Sequence, residues 1–446
     1  MKTRTHSLRN RVAVAVVFLQ ICTAGTPLSA QQETLPRRGD LGVIVAGLPD
    51  AGVRVVQVRE GSAAARAGIT VGDVLLNINQ KALRSDEGEI AVDRIPTGHV
   101  TLSVRRGDSK QVKQVVVPPL PPEKFSSAEV ILDSVQGGRG ERLRTVVTRP
   151  RGREKAPVIF VVGWLSCDSV EYPYGPGNDG FGILLTRLAQ QSGFATLRMD
   201  KPGVGDSEGV CSKANFADEL AGYKAAFASL RKYDFIDQQR IFVLGLSNGG
   251  GVAPLVVPEG SAAKGYVSIS GWGRSWFEHM IEHERRRLTL KGASPAEVTR
   301  QLKLFEKFYS LYLLDKMTPG EAIAREPDLK EIWYDASDTQ YGRPAAFYQQ
   351  LQDLNLAQAW SQVNAPVLVI HGAQDWVMSH ADAEAIAESV NRVRSGAAEF
   401  IELPQANHGL MDHAAIEDQF QHNPGKFHDQ TVDLVMQWLR QHAQGY

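Results

Sequence analysis

The sequence predicts an α/β fold, a mostly parallel sheet carrying a helical insertion, preceded by a smaller β-rich domain. Three observations predict it. From about residue 125 onward, short apolar strands alternate with helical segments, the rhythm of a parallel sheet crossed by helices. Residues 39–117 run instead as short strands and turns around one small Ala-rich helix. Between them, Pro118-Pro119-Leu120-Pro121-Pro122 reads as a stiff linker over 118–124, because consecutive prolines favour extended backbone. The 446 residues exceed what one compact domain usually holds. Hydrophobic residues at 43% and charged residues at 22% are globular proportions and exclude a largely disordered chain. A net charge of -1 without a basic stripe argues against a nucleic-acid partner, and Arg285, Arg286 and Arg287 read as a solvated helix face.

Residues 1–30 have the layout of a secretory signal. Lys2, Arg4, Arg9 and Arg11 are basic, Val12 to Cys22 is apolar, and Leu28-Ser29-Ala30 offers a small residue at the cut. The apolar run is shorter than the roughly 20 residues that span a bilayer, and no other segment reads as transmembrane. Gln20 and Ile21 fit lipid attachment at Cys22 poorly. The expected mature chain starts at Gln31, has no membrane anchor and is periplasmic or secreted. It keeps Cys167 and Cys211, whose pairing an oxidising compartment would favour; geometry decides that pairing, and the sequence leaves it open.

The β-rich unit, residues 31–117, is read in order. Asp40 to Val45 and Gly52 to Val58 are strands, Gly61 to Gly68 holds the short helix, and Gly72 to Asn79 is a turn and strand. Gly98 to Val104 and Val112 to Val117 flank the turn Arg106-Gly107-Asp108. On Leu41-Gly42-Val43, G-S-A-A-A-R-A-G at 61–68, G-D-V-L-L at 72–76 and V-T-L-S-V-R-R-G at 100–107, this unit resembles a bacterial PDZ domain of the periplasmic-protease type. The resemblance implies a partner: a peptide or protein C-terminus that adds as a strand beside a carboxylate-binding loop. That loop corresponds to Gly39, Asp40, Leu41, Gly42 and Val43, whose free N–H groups would receive the carboxylate. A PDZ fold kept as a spacer or dimer contact is the alternative.

In residues 125–446, Val130–Ser134 and Leu143–Thr148 read as an opening hairpin. Pro157–Val162, Thr196–Met199, Ile241–Leu244, Tyr266–Ile269 and Val367–Ile370 are apolar throughout, as strands buried on both faces should be, and Phe400–Leu403 closes the set. Phe216–Lys232 and Ala381–Val393 are helical in pattern. Residues 272–360 break the rhythm as a long, aromatic-rich helical stretch, read as a lid.

The chemistry centres on Gly245-Leu246-Ser247-Asn248-Gly249, a G-x-S-x-G between an apolar strand and a helix, which turns sharply enough to expose a serine hydroxyl. A serine needs a base to take its proton, and a base needs an acid to hold its tautomer. Asp375 follows the strand Val367–Ile370, and His408 lies in the loop after Phe400–Leu403, giving the chain order Ser, acid, His. Asp382 is the fallback acid. His371 is expected to pack at a strand end; His279 and His283 could share a metal but lack a zincin glutamate, since Met280 follows His279; His413, His422 and His428 lack a fitting loop. The oxyanion hole would use the N–H of Asn248 and that of Trp164, with Leu165 the alternative. Asp200 to Gly209 (D-K-P-G-V-G-D-S-E-G) reads as a structural turn.

These placements make residues 125–446 resemble the esterase and serine-aminopeptidase branch of the α/β-hydrolases. The resemblance implies that a small-molecule ester is cleaved through an acyl-enzyme, with no cofactor and no metal. A peptidase acting on short peptides is the alternative, with Glu278 and Glu282 as amine anchors. Trp272, Trp276 and Phe277 follow a sheet strand and would line an acyl pocket or simply fill the lid core.

Overall fold

The computed structural model describes residues 35–48, 52–83 and 95–444. The expected signal segment 1–30 with Cys22, and the expected new terminus Gln31, lie outside the described residues. No described helix is long and apolar enough to cross a membrane.

The N-terminal unit is a sheet of β1 (Val43–Gly47), β2 (Val53–Val58), β3 (Val74–Ile78), β4 (Lys81–Ala82), β5 (Gly98–Arg106) and β6 (Ser109–Val117), with helix α1 (Ala63–Arg66). Its order is β1-β2-β3-β5-β6, with β4 paired to β3, so β1 is an edge strand. Ser62 starts α1 by accepting from the Ala65 N–H. Val53, Val55, Leu75, Val100, Leu102 and Val104 alternate inward to make this unit's own core.

The C-terminal unit opens with the antiparallel hairpin β7 (Ala128–Gln136) and β8 (Arg142–Pro150). There follow β9 (Ala156–Val162), α2 (Gly180–Gln191), β10 (Ala195–Met199), α3 (Phe216–Ser229), β11 (Ile236–Leu246), α4 (Asn248–Val252) and β12 (Gly265–Ile269). The insertion is α5 (Trp276–Leu290), α6 (Pro295–Tyr309), α7 (Pro319–Arg325), the ribbon β13 (Thr339–Gln340) and β14 (Arg343–Pro344), α8 (Ala345–Gln352) and α9 (Leu356–Ser361). β15 (Val367–Gly372), α10 (His380–Val393) and β16 (Ala398–Leu403) complete the sheet, and α11 (Ile416–Phe420) and α12 (Gln430–Ala443) end the chain. The strand order is β16-β15-β12-β11-β9-β10-β8-β7. Every pairing from β10 through β16 is parallel; β8 is antiparallel to both its neighbours, so β8 alone runs against the rest and β7 returns to their direction. Along β9, Val158, Phe160 and Val162 enter one core and Ile159 and Val161 the other, so both faces of the sheet are covered.

The expected linker is not a free spacer. Gly39 bridges Pro119, and the Leu120 N–H donates to the Arg38 carbonyl at 2.8 Å. Glu123 is buried, pairs with the buried Arg198 and accepts the Tyr172 N–H at 2.8 Å. Arg37 forks onto Glu171 at 2.8 and 2.9 Å, and also pairs with Asp206. Arg37 reaches the Leu120 carbonyl at 3.1 Å, and Arg144 donates to the Leu35 carbonyl at 2.8 Å. Prolines set the extended path, while these buried charges decide where it lies.

Candidate active site

Ser247 sits between β11 and α4 with φ 55°, a left-handed conformation that non-glycine residues seldom adopt. The surrounding glycines make this turn possible. A Cβ on Gly245 would meet the Gly249 carbonyl oxygen at 2.3 Å, and one on Gly249 would meet the Val162 carbonyl oxygen at 2.2 Å. The serine hydroxyl therefore stands above the ends of β9 and β11.

His408 Nε2 is 3.0 Å from Ser247 Oγ, and His408 Nδ1 is 2.7 Å from Asp375 Oδ2. The order Ser–His–Asp is thus closed by hydrogen bonds at both imidazole nitrogens. Asp375 is buried, and its other oxygen accepts the N–H groups of Val377 and Met378 at 2.8 and 2.9 Å. The His408 carbonyl accepts the Ser270 hydroxyl at 2.9 Å, and the Phe181 ring meets the imidazole edge-on at 5.8 Å. Asn407 Oδ1 takes the N–H groups of Gly409 and Met411, which fixes the loop.

On the opposite side, Gly163 already donates its N–H to the Tyr223 hydroxyl at 3.0 Å. Among the described residues the next amide, Trp164, is not so engaged. The loop behind it is braced three ways. The buried Lys201 amine donates to the carbonyls of Trp164 and Ser166, and burial pushes its pKa down to about 8. Cys167 and Cys211 form a disulfide, the question the sequence left open, with Cα atoms 6.1 Å apart. Arg343 of β14 donates to Cys211 Sγ at 2.8 Å and pairs with the buried Glu219. Asp200 accepts the Val170 N–H at 2.8 Å and the Ser207 hydroxyl donates to its carbonyl at 2.8 Å, so the 200–209 turn is structural, as expected.

Two sequence expectations are corrected. Trp272 and Trp276 are packed core, not the wall of an opening: Trp272 is 0% exposed, meets Trp276 edge-on at 4.9 Å and donates to Asn248 Oδ1 at 3.2 Å. They hold the nucleophile turn from beneath. Phe277 beside them is half-buried. In the loop expected to receive a peptide carboxylate, the N–H groups of Gly39 and Asp40 are spent on the carbonyls of Ile95 and Pro118 at 2.6 and 2.8 Å. The Asp40 carboxylate pairs with Arg59 and accepts the Tyr174 hydroxyl. Among the described residues the amides of Leu41 and Gly42, ahead of Val43 on β1, are not so engaged.

The other candidates are occupied. His279 bonds Asp382 at 3.1 Å and His283 bonds the Val377 carbonyl at 3.3 Å, so they do not face a common ligand. Asp382 is thereby tied to the lid and not to His408. Glu278 caps α5 at Ser275, and Glu282 pairs with Arg285 and Arg286. The expected solvated face of Arg285, Arg286 and Arg287 is also corrected, at Arg286: Arg285 is exposed, but the Arg286 guanidinium turns inward, donates to the carbonyls of Trp376 and Val377 at 3.0 and 2.9 Å and so holds the loop that carries Asp375.

Fold and site together define a serine hydrolase of the α/β-hydrolase class. The family described as serine aminopeptidase, S33, matches residues 181–414, more than half of the chain, and the chain belongs to that family. The PDZ domain family matches residues 31–105. No curated protein matches the chain. Similar solved structures include the Pyrococcus furiosus esterase Pf2001, 14% identical with a TM-score of 0.43 over 72% of this chain and 96% of that one. Est1E from Butyrivibrio proteoclasticus is 16% identical with a TM-score of 0.43, over 71% and 99%. The Pyrococcus horikoshii acylaminoacyl peptidase is 15% identical with a TM-score of 0.44, over 78% of this chain and 48% of that one.

Proposed function

We propose that the enzyme is exported and hydrolyses carboxylic esters of small molecules through an acyl-enzyme on Ser247. The observation that carries this reading is the unbroken relay Ser247–His408–Asp375 at 3.0 and 2.7 Å. Ser247 Oγ attacks the ester carbonyl while His408 Nε2 takes its proton, and Asp375 stabilises the imidazolium through Nδ1. The N–H groups of Asn248 and Trp164 receive the developing oxyanion. His408 returns the proton to the departing alcohol, then activates water to release the acid.

The occupied state of Glu278 and Glu282 supports an ester over an N-terminal peptide, since neither carboxylate is free to hold a substrate amine. The second reading, an aminopeptidase on short peptides, draws on the description of the family. Export is supported by the layout of residues 1–30 and by the Cys167–Cys211 disulfide, which fits an oxidising compartment. The PDZ unit offers the β1 edge and the Leu41 and Gly42 amides to a peptide carboxylate.

A chain-length series of p-nitrophenyl esters, run beside aminoacyl-p-nitroanilides, tests the reading. The esters should turn over faster, and Ser247→Ala should cut kcat by about 10⁶-fold with an unchanged melting temperature. Faster anilide turnover would establish the peptidase reading instead, and an active Ser247→Ala protein would refute both.

A further inference from the structure

The geometry points to a binding site for one transition-metal ion of the zinc type, formed by His371, His380 and Glu402 and separate from the reacting atoms. His371 and Glu402 are register partners on the parallel strands β15 and β16, so their side chains leave the same face of the sheet side by side. His380 is the first residue of α10, capped by Ser379, and the helix start brings it over that pair. One ligand atom from each residue lies within 4.8 Å of the other two. His380 Nδ1 is 2.6 Å from Glu402 Oε2, and the His371 and His380 rings meet edge-on at 5.9 Å.

The second observation is an orphan. His371 is only 2% exposed, and its Nδ1 has no hydrogen-bond partner. Buried imidazole nitrogens are normally satisfied, so this one calls for a group that the protein itself does not supply. Two imidazoles and one carboxylate suit zinc, cobalt or copper, whereas magnesium and calcium demand oxygen ligands throughout. The side chains of His380 and Glu402 are 50% and 40% exposed, leaving an entry path and a position for water. The ion takes the place of the proton between His380 Nδ1 and Glu402; the imidazole then carries its proton on Nε2, 3.6 Å from Glu384 Oε2. A carboxylate behind a metal-bound histidine fixes its ring and raises its basicity.

The location gives the ion a task. His371 precedes Gly372, whose carbonyl accepts the Asp375 N–H at 3.0 Å, and Glu402 precedes Leu403, whose carbonyl accepts the Ala373 N–H at 2.9 Å. An ion there staples the roots of the two loops that carry Asp375 and His408, as a positioning element.

Cobalt(II) titration of the purified enzyme tests this, since cobalt in a four-coordinate nitrogen and oxygen site absorbs in the visible. The wild-type enzyme should develop these bands with one equivalent, and zinc should bleach them. His380→Ala and Glu402→Gln, both half-exposed positions, should bind cobalt at least about tenfold more weakly, whereas His408→Ala should bind it normally. No bands with the wild-type enzyme, equal binding by the two site variants, or loss of binding in His408→Ala would each overturn the assignment.

Discussion

The disulfide behind the oxyanion loop gives the most quantitative test of how this site is held. Cys167 and Cys211 are 44 residues apart. Closing a loop of that length removes about 13 cal/mol/K from the unfolded chain, or about 4 kcal/mol at room temperature. The closed loop contains β10, the 200–209 turn and Lys201, so the bond restrains the whole floor beneath Trp164. Cys167→Ala/Cys211→Ala should therefore lose about 4 kcal/mol in urea unfolding. For a domain of this size the melting temperature should fall by about 6 °C. Because Cys167 follows Trp164 by three residues in the loop after β9, kcat on a p-nitrophenyl ester should fall more than KM rises. A double variant that unfolds within about 1 kcal/mol of the wild type would refute the loop-closure account. In that case Arg343 and Lys201 would be what holds the loop.

Three further outcomes follow from buried charge. Lys201 titrates near 8 when folded against 10.5 ordinarily, so between those values only the unfolded chain holds its proton. Wild-type stability should then rise with pH across that window relative to Lys201→Met, by up to about 3 kcal/mol; a pH-independent difference would sink the idea. His283, buried on α5, is pushed down to about 3 from 6.5, so the stability it permits at neutral pH is lost as pH falls from 6.5 towards 3. His283→Phe should flatten the melting temperature against pH in that range, and a profile parallel to the wild type would contradict this. Arg37→Met leaves the buried Glu171 without its cation, while Asp206 keeps Arg144, and should cost about 3 kcal/mol in urea unfolding, with a loss below about 1 kcal/mol counting against the anchor.

Much of this was legible in the sequence because the relevant signals are local. G-x-S-x-G fixed Ser247 between a strand and a helix, and the apolar runs located β9 to β12, β15 and β16 to within a few residues. Asp375 and His408 followed from their places in the loops after two apolar strands, together with chain order. What escaped was set by packing across the fold. Trp272 and Trp276 have the composition of a pocket wall, but whether their faces meet solvent or the nucleophile turn depends on how the lid lies. The spent amides of Gly39 and Asp40 depend on Ile95 and Pro118, more than 50 residues away. Pairing of Cys167 with Cys211, and the meeting of His371 with Glu402, depend on which strands and loops become neighbours. Arg286 reads as solvated with Arg285 and Arg287, because a basic run does not show which of its members folds back onto the acid loop.

The two anchors of the PDZ unit also bear on how a captured peptide would reach the enzyme. A module on a flexible tether explores a volume set by tether length, and delivers its cargo in all orientations at a millimolar effective concentration. Here residues 35–38 and 118–124 lie side by side and are both fastened to the hydrolase, so the module behaves as an insertion with two closed ends. Whatever binds along β1 arrives in one orientation, and lengthening either segment would weaken delivery by misalignment long before reach became limiting.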